Sequence, residues 1–187
     1  MTSLLQNLEH GVMTLTLNRV DKKNALTADM YTALAAALSK AVDEKDVRVV
    51  LIQGHETVFS AGNDIADFLQ QPPANANSPV SLFLRGIATF PKPLIASVCG
   101  PAVGVGTTML LHCDLVYAAD TARFAMPFTQ LGLCPEFGSS LLFPRLAGYQ
   151  HAAEKLLLGE AFTASEAEQL GLVNQVLPAA ALQEHVA

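Results

Sequence analysis

"PLIASVCGPAVGVGTTMLLHCDLVYAAD", residues Pro93 to Asp120, decides the fold. PLIASVCG is a short apolar run of the kind buried in a sheet, and DLVYAAD is a second one. Between them PAVGVG is broken by proline and glycine and leads into TTMLLHC, which reads as a buried helix. A membrane span needs about 20 uninterrupted apolar residues, and the glycines, the proline and the polar HCD argue against one here. Strand, turn, helix and strand within 28 residues are the unit of an α/β protein whose sheet is at least partly parallel.

The same alternation extends outward. Upstream, GVMTLTLNR (11–19) reads as a strand, and Thr27 caps a helix running to about Ala41. VRVVLIQG (47–54) is a strand apolar throughout, as expected when both faces are covered. TVFSAGNDI (57–65) is a short strand broken at Gly62 and passing into a helix capped by Asp64. QQPPANANSP (70–79) is a loop, followed by a helix over 80–90. Downstream, 139–148 and 149–159 read as helices ending near Gly148 and Gly159, and Ser139 and Ser140 start the first of them. Thr163 and Glu166 have the spacing of a capping box. The closing AALQEHVA reads as the first turns of a helix with nothing after it to pack against; the expectation is a chain lacking a C-terminal part.

The chain of 187 residues carries 11 Lys and Arg against 17 Asp and Glu, a net charge of −6. That balance disfavours a phosphate-backbone binder, so no nucleic-acid partner is expected. The N-terminus lacks a secretory pattern and HVA is not a peroxisomal address, so the expected location is cytoplasmic, with no membrane partner. Cys99, Cys113 and Cys134 lack C-x-x-C spacing and read as buried free thiols. The five histidines are scattered without ligand spacing, so no metal is expected. No G-x-S-x-G occurs. GPAVGVG fails the dinucleotide fingerprint, because Met109 stands where the third glycine belongs. What remains is a glycine-rich turn with outward N–H groups at a helix start; its plainer reading is close helix–sheet packing. FSAGND offers a second such turn, exposing the N–H of Asn63. Arg19, Lys22 and Lys23 form a basic cluster that is either a solvated loop or a phosphate contact.

One carboxylate stands out. Between Arg123 and Arg145 the only acid is Glu136, in a largely apolar run. Either it sits at the start of the next helix, favoured by the macrodipole, or it is a base whose pKa is raised by apolar surroundings. Phe124, Phe128, Leu131, Leu133, Phe137 and Leu141 are the candidates for those surroundings.

NRVDKKNAL, FSAGNDI, KPLIASVCGPAVGVG, CDLVYAAD and LGLCPEFGSSLLFPRLAG together resemble the crotonase superfamily, the enoyl-CoA hydratase/isomerase family. The resemblance runs from residue 12 to 178 in the family's order. It implies a spiral of ββα repeats in a single domain, residues 1–187, with a core over about 1–178 and the start of a C-terminal helix at 179–187. It implies an acyl-CoA thioester as substrate, no separate cofactor, and homotrimers where the C-terminal segment is present. The N–H groups of Asn63 and Val105 match the family's oxyanion hole. Lys22, Lys23, Ala25, Leu26, Ser60 and Ala61 match its CoA-binding positions. The two glutamates of the family's hydratases correspond to Thr108 and Phe128 here, so ordinary hydration is not expected. The P-E-x-x-S-S segment is similar to that of the 3,2-enoyl-CoA isomerase branch, which implies Glu136 as a lone acid/base that moves the double bond of 3-enoyl-CoA to trans-2-enoyl-CoA. Alternatives are another crotonase reaction, such as hydrolysis or an epoxide or ring isomerisation, or an inactive acyl-CoA-binding protein.

Overall fold

The computed structural model describes residues 2–186. In chain order its strands are β1 (Leu4–Glu9), β2 (Val12–Leu17), β3 (Val49–Gln53), β4 (Leu94–Val98), β5 (Pro101–Val103), β6 (Leu115–Ala119), β7 (Arg123–Ala125), β8 (Phe162–Thr163) and β9 (Gln175–Leu177). The helices are α1 (Ala28–Asp43), α2 (Ile65–Gln70), α3 (Pro79–Ala88), α4 (Val105–Thr108), α5 (Ser139–Ala147), α6 (Tyr149–Ala153), α7 (Ala164–Gln169) and α8 (Ala179–Val186). A 3-10 turn, Met109–His112, continues α4.

Six strands form one sheet in the order β1-β2-β3-β4-β6-β9, antiparallel at the β1–β2 hairpin and parallel thereafter. A smaller sheet holds β5, β7 and β8. After β4 the chain turns at Gly100 into β5 and then α4; after β6 it turns into β7. The β4–β5–α4 and β6–β7–α5 circuits each lay one strand in the large sheet, one in the small sheet and then a helix, the expected ββα spiral. Ser60 bridges Ala102 in parallel, so the FSAGN segment occupies the corresponding place one circuit earlier.

Burial explains the pattern. Leu15, Ile52, Ala96 and Val98 from the central strands are buried in one core with Met30, Tyr31, Leu34, Ala37, Leu38 and Ala41 of α1, a stripe of period 3.6. Thr27 caps α1, its hydroxyl accepting from Met30 N at 3.3 Å. The expected capping box at α7 forms in both directions, Glu166 N to Thr163 Oγ1 and Thr163 N to Glu166 Oε2.

Several expectations are corrected. PAV is not part of a turn but strand β5, paired with β7. The helix over 149–159 ends in a π-helical turn, Glu154–Leu158. The closing helix α8 is packed: Leu182 is fully buried in a cluster with Cys99 and Ala119. Its expected last residue, Ala187, lies outside the described residues. The cysteines are free, but of the three Cys99 is buried, Cys113 is partly so, and Cys134 is exposed. Among the described residues no helix is long and apolar enough to cross a membrane, and no group of three potential metal ligands occurs.

Candidate active site

Two glycine turns are pressed against each other. Ser60 O accepts from Val103 N at 2.9 Å, and Gly104 N donates to Ala125 O at 2.9 Å, so FSAGN, β5 and β7 lie side by side. Gly62 has φ +88, and a Cβ there would stand 2.7 Å from Val103 O. A Cβ on Gly106 would stand 2.9 Å from Ser60 O. Only glycine permits this approach, and it brings the segment carrying Asn63 beside the first turn of α4. The N–H groups of Asn63 and Val105 donate no hydrogen bond among the described residues. They are free donors at the edge of the two turns.

Glu136 reaches the same place from the loop before α5. Its Oε1 accepts from Thr108 Oγ1 at 2.5 Å. Thr108 is the last residue of α4 and is fully buried. Burial pushes the Glu136 carboxyl above its ordinary value of 4.5, and the Thr108 hydrogen bond opposes part of that rise. Tyr31 lies close by: burial and then the Glu136 charge hold its phenol well above its ordinary value. The Tyr31 hydroxyl donates to Asn63 Oδ1, tying the side chain beside one free N–H to α1.

The carboxylates flanking Asn63 are otherwise engaged. Asp64 caps α2 and pairs with Arg19 at 2.8 Å, a contact that lowers its pKa, and Asp67 Oδ2 accepts from Ala28 N at 2.8 Å. Arg19 is thereby taken out of the basic cluster, and it also donates to Ala25 O at 3.0 Å. Lys22 and Lys23 are exposed and form no ion pair among the described residues.

The segment Lys22–Leu26 is bound edge to edge to FSAGN. Ala61 N donates to Lys23 O, Leu26 N to Gly62 O, and Ser60 Oγ to Asn24 O, each at 2.8 to 2.9 Å. Asn24, fully buried at φ +53, makes this possible by accepting from Arg19 N and donating to Val58 O and Phe59 O. Lys22, Lys23, Ala25, Leu26, Ser60 and Ala61 thus form one patch continuous with the Gly62 turn.

A profile described as "Enoyl-CoA hydratase/isomerase" matches residues 7–187. The chain belongs to the enoyl-CoA hydratase/isomerase family. It is 39% identical to enoyl-CoA delta isomerase 2 of Homo sapiens over 191 residues, covering 98% of this chain but 48% of that protein. It is 38% identical to 1,2-epoxyphenylacetyl-CoA isomerase of Escherichia coli K12, covering 95% of this chain and 70% of that one. The structure of Pseudomonas aeruginosa OdaA superposes with a TM-score of 0.96 at 52% identity, covering 99% of this chain and 75% of that one. The chain therefore spans about half the length of the human relative and about three quarters of OdaA.

Within this family frame the sequence reading of Glu136 needs one correction. Of the apolar residues proposed to surround it, Leu131, Leu133 and Leu141 are exposed, and Phe124 stacks with Phe162 in the core. Phe128 and Phe137 remain: Phe128 is buried in the main core, and Phe137 is packed between His112 and Phe83. From far along the chain, Thr108 of α4 bonds the Glu136 carboxyl and Tyr31 of α1 lies near enough to feel its charge. Nor is Glu136 a helix cap: the N-cap of α5 is Gly138, and the Glu136 side chain accepts from Thr108. Sequence reasoning missed Tyr31, the buried hydrogen-bonding role of Asn24 and the role of Thr108. A hydroxyl in an apolar helix and a tyrosine on a buried stripe carry no local signal of a polar partner far along the chain.

Proposed function

We propose that this chain catalyses the 3-enoyl-CoA to trans-2-enoyl-CoA isomerisation, with Glu136 as its single acid/base. The observation that carries the reading is Glu136 itself: a half-buried carboxylate, raised in pKa, beside two turns whose Asn63 and Val105 N–H groups are unoccupied. The thioester oxygen accepts from those two N–H groups. Glu136 removes a proton from C2; the electron pair of that C–H bond delocalises into the carbonyl and the C3–C4 double bond, and charge gathers on the held oxygen. The same carboxyl returns the proton at C4, leaving the double bond conjugated at C2–C3. One proton moves and nothing is oxidised, so one carboxylate and two donors are sufficient. Lys22 and Lys23 meet the phosphates of CoA, while Ala25, Leu26, Ser60 and Ala61 line its path with backbone.

Hydration needs groups that position a water and deliver a proton; at the positions matching the family's hydratase glutamates stand Thr108 and Phe128, which have no carboxylate to supply. The 38% identity to 1,2-epoxyphenylacetyl-CoA isomerase favours a second reading through the same enolate, isomerisation of an epoxide beside a thioester. Incubation with short- and medium-chain 3-enoyl-CoA esters, following the absorbance of the conjugated thioester, tests the first reading. Glu136→Gln is expected to lower kcat by about 10² to 10⁴. Turnover undiminished in that variant would remove Glu136 from its role. Turnover of an aryl epoxide thioester alone would select the second reading.

A further inference from the structure

We infer that Thr108 is a positioning residue that holds Oε1 of Glu136 and thereby leaves Oε2 as the oxygen that takes and returns the proton. The inference rests on the isomerase reading and goes beyond it, because it assigns the two oxygens different work. The Thr108–Glu136 contact of 2.5 Å is in the range of a hydroxyl donating to a carboxylate. The Thr108 hydroxyl is fully buried and has no other acceptor among the described residues, and Oε2 accepts no hydrogen bond from them. If the abstracted proton went to Oε1, Thr108 would face a neutral hydroxyl oxygen, a weaker acceptor than a carboxylate or carbonyl oxygen, and its short bond would be lost or weakened. Protonation at Oε2 keeps the Thr108 hydrogen bond intact throughout the cycle.

The backbone around Glu136 supports the same assignment. Phe137 is held at φ +57, a left-handed conformation that a non-glycine residue keeps only where its surroundings impose it. It is held there from His112, one helical turn after Thr108, whose ring stacks on Phe137 at 4.0 Å and whose Nε2 lies 2.9 Å from Phe137 O. Ser139 donates to Glu136 O through both N and Oγ, at 3.1 and 2.6 Å. The continuous run from α4 through His112 therefore holds this segment twice, by the Glu136 carboxyl at Thr108 and by the carbonyl of the next residue, Phe137, at His112.

Thr108→Val removes the donor with almost no change of shape, and Thr108→Ser restores it. In Thr108→Val kcat for the 3-enoyl-CoA is expected to fall about 10- to 100-fold, as for loss of one hydrogen bond to a charged group, with KM within about twofold. The acid limb of its pH profile moves to higher pH, because a contact that favours the carboxylate is gone. Thr108→Ser keeps both the rate, within a few-fold, and the limb. Tyr31 from α1 and His112 after α4 are the titratable groups facing this site, α3 contributing the uncharged Phe83, and both variants leave them in place. Carbon-13 NMR titration of the Glu136 carboxyl gives a readout independent of turnover. An upward pKa shift in Thr108→Val but not in Thr108→Ser supports the tie even if the wild type proves to run another reaction. Should Thr108→Val not fold, Thr108→Ala serves for the same measurements. Equal behaviour of the valine and serine variants, or a change in KM alone, overturns the inference; absence of Glu136-dependent isomerisation in the wild type overturns the isomerase reading instead.

Discussion

A carboxylate taken out of water is a stronger base and a burden on the fold at once, and Glu136 shows both sides. Its raised pKa means that the folded protein keeps the proton at pH values where the unfolded chain has lost it. The fold therefore loses stability as pH rises from 4.5 through the folded pKa, and the cost is full above that. Glu136→Gln retains an acceptor for Thr108 and carries no charge. It is expected to melt at a higher temperature than the parent at neutral pH, with the gap closing below pH 4.5. Thermal melts of both proteins between pH 4 and 8 check this. On the proposed reading activity runs the other way: a base works only when ionised, so kcat/KM is expected to rise with pH through the same pKa. Lower stability at the pH of higher activity is the signature expected if this half-buried carboxylate is the acid/base, as proposed.

At the scale of elements, the site depends on how closely two turns approach. Gly62→Ala places a Cβ 2.7 Å from a backbone oxygen at a residue held at φ +88. Its expected cost is about 1–3 kcal/mol in urea unfolding, together with a fall in kcat as the Asn63 and Val105 N–H groups are forced apart. Legibility also varies at this scale. Helix α1, the central strands and the α7 capping box were readable because each carries a full period or a cap in contiguous residues. Strand β1 was not, because only Leu4 of its six residues is buried and no alternation results. Strands β5, β7, β8 and β9 have two or three residues, too few to show a period. Asn24 was unreadable for another reason: its partners at Val58 and Phe59 are more than 30 residues away.

For the whole molecule, the main core runs from β1 to α7, and Leu182 of α8 belongs to a separate small cluster with Cys99 and Ala119. Leu182→Ala is expected to cost about 2–3 kcal/mol, the lower part of the range for a buried leucine, because a small cluster can partly close. Turnover is expected to stay within about twofold, since Val105 and Phe137 pack with the main core. Chemical denaturation and the isomerase assay on one preparation test both.

By itself the sequence determined what local chemistry can write: the alternation of strands and helices, the two glycine turns with their outward N–H groups, and an isolated carboxylate at Glu136. Each is a property of a few adjacent residues, so it survives in a linear reading. Only the tertiary structure decided what Glu136 meets. Thr108 lies 28 residues before it, and Tyr31 more than a hundred. It also decided that Arg19 is spent on Asp64 while Lys22 and Lys23 form no ion pair among the described residues, a choice between like charges that only their distances to a carboxylate can make. Burial and hydrogen bonding depend on which surfaces the fold brings together, and those surfaces come from segments that the chain itself keeps far apart.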